Sequence, residues 1–209
     1  YKTGQGIERV LRAQFTPLEE ALASMGVVVW PMVELEADDA LASAAHLSSA
    51  DPRVDKVCIW ANDKDLAQCV VGDHVVQIDR KAGAIRDENG VRKKFGVTPM
   101  LIPDFLALVG DSADGYPGIS GIGKTGAAQL LNQYGPIEDF PKNVLTGPRR
   151  EQALLFKQLA TLRTDALLFE DVETLRWRGP TPEFEKLASR LGDARLVTRA
   201  FAVLKKVAG

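Results

Sequence analysis

Asp111-Ser-Ala-Asp114-Gly-Tyr-Pro117-Gly118-Ile-Ser-Gly121-Ile122-Gly123-Lys124-Thr125 admits two folds, and the choice between them orders the rest of the chain. Gly118 to Thr125 satisfies G-x-x-x-x-G-K-[ST], a phosphate-binding loop that needs a β-strand directly before it and a helix directly after. The helix is present in the pattern, from Ala127 to Tyr134 and closed by Gly135-Pro136. The strand is not, because the preceding residues form a polar turn ending in Pro117. The second reading is a helix-hairpin-helix over residues 117–134, with Ile119 and Ile122 as its apolar anchors. Gly118, Gly121 and Gly123 then let the backbone approach a nucleic-acid phosphate, which fixes position without reading sequence. Lys124 and Thr125 add a charge and a hydroxyl. A purely structural helix–turn–helix is the third possibility.

Working outward, three acidic groups stand at the ends of expected elements: Glu36-Ala-Asp38-Asp39, Asp63-Lys-Asp65 and Asp111-Ser-Ala-Asp114. The first follows an apolar run ending at Trp30 and the second one ending at Trp60, and in a parallel sheet ligands collect beyond the carboxyl ends of the strands. Seven carboxylates in three groups suit hard divalent cations such as Mg²⁺ or Mn²⁺, which prefer oxygen ligands. Any one group has a simpler explanation, since acids near helix N-termini are favoured by capping and by the helix dipole.

The apolar periodicity predicts a helix over Leu18 to Met25, then a buried parallel strand at Val27 to Trp30, and a helix over Ala37 to Leu47. A second strand at Lys56 to Trp60, a helix near Asp65 to Val70, and a third strand at Val75 to Asp79 continue the alternation, which implies a parallel sheet with right-handed crossovers. Beyond residue 87 the pattern is helical: Thr98 to Val109, Glu151 to Leu162, Glu183 to Leu191 and Ala194 to Val207. The expected fold is an α/β, parallel-sheet core over residues 1–86 followed by a helical DNA-binding region over residues 87–209.

Composition narrows the setting. At 209 residues and 45% hydrophobic, the chain can bury a substantial core, and no apolar run reaches membrane-spanning length. Two cysteines are too few for a disulfide framework; Cys58, inside Val57-Cys-Ile-Trp60, is expected to be a reduced, buried thiol. His46 and His74 have no partner at zinc-ligand spacing. These features fit a cytoplasmic protein. Arg92-Lys-Lys94 and Arg149-Arg150 are short basic runs that either meet phosphates or form solvated faces, and Trp177 is expected to cover a core edge.

Taken in order, the motifs resemble those of the 5′-nuclease family, the 5′→3′ exonuclease domain of bacterial DNA polymerase I and its flap-endonuclease relatives. Its patterns E-A-D-D, D-x-D after a strand, and G-D-x-x-D-N-x-P-G-x-x-G-I-G are matched by Glu36 to Asp39, Asp63 to Asp65, and Gly110 to Gly123, with Gly115 in place of the usual Asn. Tyr1-Lys2-Thr-Gly4 is similar to the family's Y-K-x-G segment in the helical arch. Relatives carry a first strand and early aspartates before that segment, so the chain is expected to continue something longer. The resemblance implies a PIN-like nuclease core and a Mg²⁺-dependent enzyme hydrolysing DNA at 5′ ends, flaps or branches. It implies metal ligation by Glu36, Asp38, Asp39, Asp63, Asp65, Asp111 and Asp114, a catalytic Lys2 on the scissile phosphate, and K⁺ at the hairpin of Gly118, Gly121, Ile122 and Gly123. A monomer, working with a polymerase or a sliding clamp, is the implied context. A non-catalytic branched-DNA-binding module and a nucleoside triphosphatase remain the rival readings.

Overall fold

The computed structural model describes residues 7–193 and 195–207. In chain order its elements are helices α1 (Arg9–Arg12), α2 (Phe15–Ser24) and α3 (Ala37–Ser49), strands β1 (Val57–Ile59), β2 (Val75–Asp79) and β3 (Ala84–Arg86), then helices α4 (Glu88–Phe95), α5 (Ile102–Val109), α6 (Lys124–Tyr134), α7 (Gly147–Ala160), α8 (Glu183–Arg190) and α9 (Arg195–Val207). The chain divides into two compact units, one of residues 34–168 and the other built from the described parts of 1–33 and 169–209.

The unit of residues 34–168 begins with the expected rhythm. α3 leads to β1, which pairs in parallel with β2 (Val57 opposite Val75, Ile59 opposite Gln77) through a crossover containing a 3-10 helix, Asp65–Cys69. Ala45 of α3 meets Ile59, Leu66 and Val75 in a small apolar cluster. The larger core forms around α5, in which every residue from Ile102 to Leu108 is buried. Val91 and Phe95 of α4, Leu131 of α6 and Phe156 of α7 pack in the same cluster. A helix with apolar residues on every side is stable only when enclosed, and residues of α4, α6 and α7 pack around this one.

One charged residue lies inside that helix. Asp104 is 1% exposed. Its Oδ1 accepts a hydrogen bond from the Ile137 amide at 2.8 Å and meets the Lys157 ammonium of α7 at 2.9 Å. Lys157 also reaches Glu138 Oε2 at 2.6 Å. These contacts fasten α5 to α7 and to the turn after α6.

The second unit is small. Thr181 donates through both its amide (2.8 Å) and its hydroxyl (3.1 Å) to the Ser24 carbonyl at the end of α2. The Trp177 indole donates to the Met25 carbonyl at 2.7 Å. Half-buried between the exposed Arg176 and Arg178, it covers the edge of this unit.

Four details differ from the sequence reading. Val27 to Trp30 is not a strand: no strand among the described residues pairs with it, Val27 and Val28 are each 41% exposed, and Trp30 stacks on Phe169 instead. A β-branched run becomes a strand only where a neighbour supplies hydrogen-bond partners. The third strand of the sheet is β3, which turns back antiparallel to β2 after the Lys81 to Gly83 turn. α4 was missed because only Val91 and Phe95 of its residues face the core; its ends are nevertheless marked, by Asp87 accepting from the Gly90 amide at 2.8 Å and by Gly96 at φ +78°. Cys58 is exposed, because alternation along β1 turns Ile59 inward and Cys58 outward. Among the described residues no helix is long and apolar enough to cross a membrane.

Removing the Asp104 carboxylate leaves the buried Ile137 amide without its acceptor and the Lys157 ammonium with Glu138 alone. Asp104→Ala is expected to destabilise the fold by about 3–5 kcal/mol, measured by urea unfolding. A loss below about 1 kcal/mol would mean that solvent reaches the site and compensates.

Candidate functional site

The loop after β1 and the loop after α5 bring three carboxyl groups together. Asp65 opens the 3-10 helix, Asp111 follows the C-cap Gly110 of α5, and Asp114 lies in the turn that closes when Asp111 and Tyr116 exchange main-chain hydrogen bonds (2.9 and 3.1 Å). One ligand atom from each of Asp65, Asp111 and Asp114 falls within 4.8 Å of the others. Asp65 and Asp111 are 7% and 2% exposed.

Two observations bear on whether this cluster could hold a cation. Asp65 Oδ1 is buried with no hydrogen-bond donor. The Lys64 ammonium lies against Asp111 Oδ2, supplying positive charge where a metal ion would otherwise supply it. The electrostatics agree: burial first, then the hydrogen bond and charge of Asp114, then the charges of Asp63 and Asp111, push the Asp65 carboxyl up to about 8. Carboxyl groups this close cannot all ionise without a compensating cation. The oxygen-only donor set suits a hard divalent ion.

Asp63 belongs to the same neighbourhood, since its charge acts on Asp65 and its Oδ1 is 3.4 Å from the Asp65 amide. Its position is set from behind. Gln77, wholly buried in β2, donates from its amide nitrogen to the Asp63 carbonyl at 2.5 Å and accepts from the Arg86 guanidinium. Sequence reasoning passed over Gln77 and Lys64, although a lone amide in Val75-Val-Gln-Ile78 and a cation between two aspartates were visible signals.

The first acidic group is placed differently. Glu36 is the N-cap of α3, in a capping box in which the Asp39 carboxylate accepts from the Glu36 amide at 3.2 Å. The other oxygen of Asp39 accepts from the Arg163 amide at 2.9 Å. Asp38 acts on the half-buried Cys69, whose thiol is pushed up to about 12 by burial and then by that charge. None of the three joins the Asp65–Asp111–Asp114 triplet, whose members are drawn from the described residues. Lys2 lies outside the described residues.

Gly118 to Thr125 forms a hairpin between α5 and α6, so no strand precedes it and the nucleotide-loop reading fails. Ile119 is buried and donates to the Leu108 carbonyl at 2.8 Å; Ile122 closes the turn onto the Ile119 carbonyl at 3.0 Å and packs against the main core. Gly118, at φ +74°, rests on the main chain of Val109 and Gly110, where a Cβ would come within 2.4 Å of the Gly110 nitrogen. Gly121 and Gly123 face open space, and Lys124 and Thr125 are exposed in the first turn of α6. No side chain caps α6, which leaves its N-terminal amides available to an anion.

Comparison with known proteins follows these features. Residues 1–96 match a family model described as the 5′-3′ exonuclease, N-terminal resolvase-like domain, and residues 97–183 match the 5′-3′ exonuclease, C-terminal SAM fold. The chain is 36% identical over 182 residues to DNA polymerase I of Pseudomonas aeruginosa, covering 79% of this chain and 20% of that protein. It is 33% identical over 192 residues to a 5′-3′ exonuclease of Aquifex aeolicus, covering 89% of this chain and 65% of that one. The chain thus spans only part of these relatives. Among solved structures it resembles T5 5′-exonuclease with zinc ions bound (TM-score 0.63, 16% identity, 99% of this chain and 74% of that one). A bacteriophage T5 flap endonuclease in a pseudo-enzyme–product complex with DNA and metal ions gives TM-score 0.61 at 16% identity, with the same coverage. These two likenesses concern the fold.

The raised Asp65 carboxyl makes a pH prediction. The folded chain keeps a proton that the unfolded chain has released, so without metal its stability should fall as pH rises from the ordinary value of 3.8 towards about 8. Mg²⁺ should flatten that dependence, and Asp65→Asn should remove it; a midpoint of urea unfolding that is flat in wild type would contradict the assignment. Lys64→Gln should tighten Mn²⁺ binding several-fold by calorimetry, because the ammonium no longer competes for Asp111.

Proposed function

The chain belongs to the 5′-3′ exonuclease family, and from that premise we propose that it is a structure-specific 5′ nuclease hydrolysing DNA phosphodiesters at 5′ ends, flaps or branches. The observation that carries this reading is the Asp65–Asp111–Asp114 triplet, in which a buried Asp65 oxygen has no hydrogen-bond partner and Asp111 and Asp114 come from the loop that leads directly into the hairpin. A divalent ion bound there supplies Lewis acidity and a charge that offsets the phosphate. Mg²⁺ or Mn²⁺ suits the donors.

The chain's own groups divide the remaining work. Asp63, Asp65, Asp111 and Asp114 hold the ions directly or through water, with Glu36, Asp38 and Asp39 contributing from the start of α3. Lys64, paired with Asp111, would compete with an ion held there. The hairpin of Gly118, Gly121, Ile122 and Gly123 positions duplex DNA by its backbone, aided by Lys124, Thr125 and the amides of α6, with K⁺ on its carbonyl groups. Lys2 contacts the scissile phosphate. In this reading residues 1–86 form the metal-binding part and residues 87–209 the DNA-binding part. The setting is cytoplasmic replication and repair, as a monomer beside a polymerase or sliding clamp.

Cleavage of a labelled 5′-flap DNA with and without Mg²⁺ tests the proposal. Cutting should require the ion, and Asp111→Ala should lower the rate by about 10²-fold or more while flap binding persists. Flap binding with no Mg²⁺-dependent cutting by the wild-type protein would favour the non-catalytic DNA-binding module instead.

A further inference from the structure

Most of the candidate phosphate-binding cations are already engaged within the protein. Arg149 donates to the Ser120 carbonyl at 2.8 Å, Arg150 to those of Phe140 (2.9 Å) and Glu138 (2.6 Å), and Arg92 pairs with Glu88 at 3.0 Å. These arginines fasten loops and helix turns. The basic runs visible in the sequence are therefore largely structural, and the cations with a different role must be found by their placement.

That placement is an open groove of about 810 Å³ between the end of α4 and the outer face of α6. Lys94 projects into it from α4, and Lys124 and Thr125 from the first turn of α6; none of its lining residues is acidic. In a chain with net charge −2, an acid-free groove with two lysines is a marked segregation of charge. The walls are held at a set spacing by Asn132, whose amide donates to the Gly96 carbonyl at 2.7 Å and to the Ala128 carbonyl at 2.8 Å. The Lys94 ammonium lies 5.1 Å from the centroid of the buried Phe95 ring. Burial first, then Arg86, and further on Lys64 and Lys124, lower the Lys94 pKa, with Asp79 alone opposing among the charges. The cations thus lie within each other's fields. Because Lys64 touches Asp111, they trace a positive path from the acidic triplet to the hairpin.

We propose that the groove between α4 and α6 binds the phosphodiester backbone of duplex DNA, with Lys94 and Lys124 each neutralising a phosphate on the path between hairpin and acidic triplet. This rests on the nuclease reading and adds to it a second wall, on α4. Mutual repulsion among the lysines is relieved by a polyanion. Thr125 and Gln129 offer hydroxyl and amide donors for neighbouring phosphate oxygens. The occupant is a duplex rather than a single strand because the one aromatic ring in the groove is buried. It sits edge-on to Phe105, with centroids 5.8 Å apart, so it provides no platform for an unpaired base. Contacts of this kind fix the distance along the duplex from the grip to the cut without selecting sequence.

Fluorescence anisotropy with a labelled blunt duplex and the matching single strand tests this, across a KCl series with Ca²⁺ replacing Mg²⁺ to prevent cutting. Lys94→Ala alters an exposed side chain and should reduce the slope of log K against log salt by about 0.9, weakening duplex binding several-fold. Lys94→Arg should restore the slope, and Lys142→Ala, on an exposed lysine outside the groove, should match wild type. An unchanged slope in Lys94→Ala, with wild type binding duplex normally, overturns the groove and leaves the nuclease reading intact. Equal loss on duplex and single strand overturns the choice of duplex. If wild type binds neither DNA, the nuclease reading fails as well.

Discussion

The contact on which this molecule depends is between two backbones. Gly110 ends α5 at φ +90° and Gly118 opens the hairpin at φ +74°; a Cβ on either would lie 2.4–2.5 Å from main-chain atoms of the other strand of the loop. No side chain fits at either position. That approach pinches residues 111–117 into a closed loop, which turns Asp111 and Asp114 towards Asp65 and delivers Ile119 to the Leu108 carbonyl. Two members of the carboxylate triplet and the hairpin are thus both attached to one rigid element, α5. The buried apolar side chains of α5 and its Asp104 contacts hold it in place.

The acidic centre carries an electrostatic strain that the rest of the unit contains. Three carboxyl groups this close repel one another; Lys64 lies against Asp111, and burial with the neighbouring charges pushes the Asp65 carboxyl up. Gln77 serves the same end by indirect means. Through one buried amide it fixes the Asp63 carbonyl and holds the Arg86 guanidinium, so the sheet sets the direction in which the second acidic loop faces. Preorganisation of this sort allows a cation to bind without the loops first having to order.

Where the sequence was legible, a local rule and a tertiary demand agreed. The hairpin, the parallel pairing of Val57–Ile59 with Val75–Asp79 and the helices from Ile102 onward follow from turn chemistry and apolar spacing. The choice against a nucleotide loop rested on a missing strand, and α5 occupies that place. The failures have physical causes. Val27 to Trp30 has the composition of a strand, but no pairing partner among the described residues. α4 buries two side chains, too few for a periodic signal, though its caps were readable. For the acidic groups, spacing alone could not separate Asp65, Asp111 and Asp114 from Glu36 and Asp39. The latter two also satisfy α3's own amides, as the capping rule allowed. Lys64 stood out as a cation between two aspartates, but its partner Asp111, distant in the chain, could be found only from the fold.

The hairpin's remaining glycines answer to a different need. Gly123 has ordinary extended dihedrals (φ −90°, ψ 179°), and Gly126 sits within α6; a methyl group on either would meet nothing within 4 Å. The fold therefore gives no steric or torsional reason for either to be glycine, and in a helix glycine costs about 1 kcal/mol relative to alanine. What their bareness leaves is open space beside the main chain at the start of α6, flanked by the exposed side chains of Lys124 and Thr125. The main chain at the start of α6 is therefore approachable from outside at two positions whose residue type the protein's own interior does not dictate.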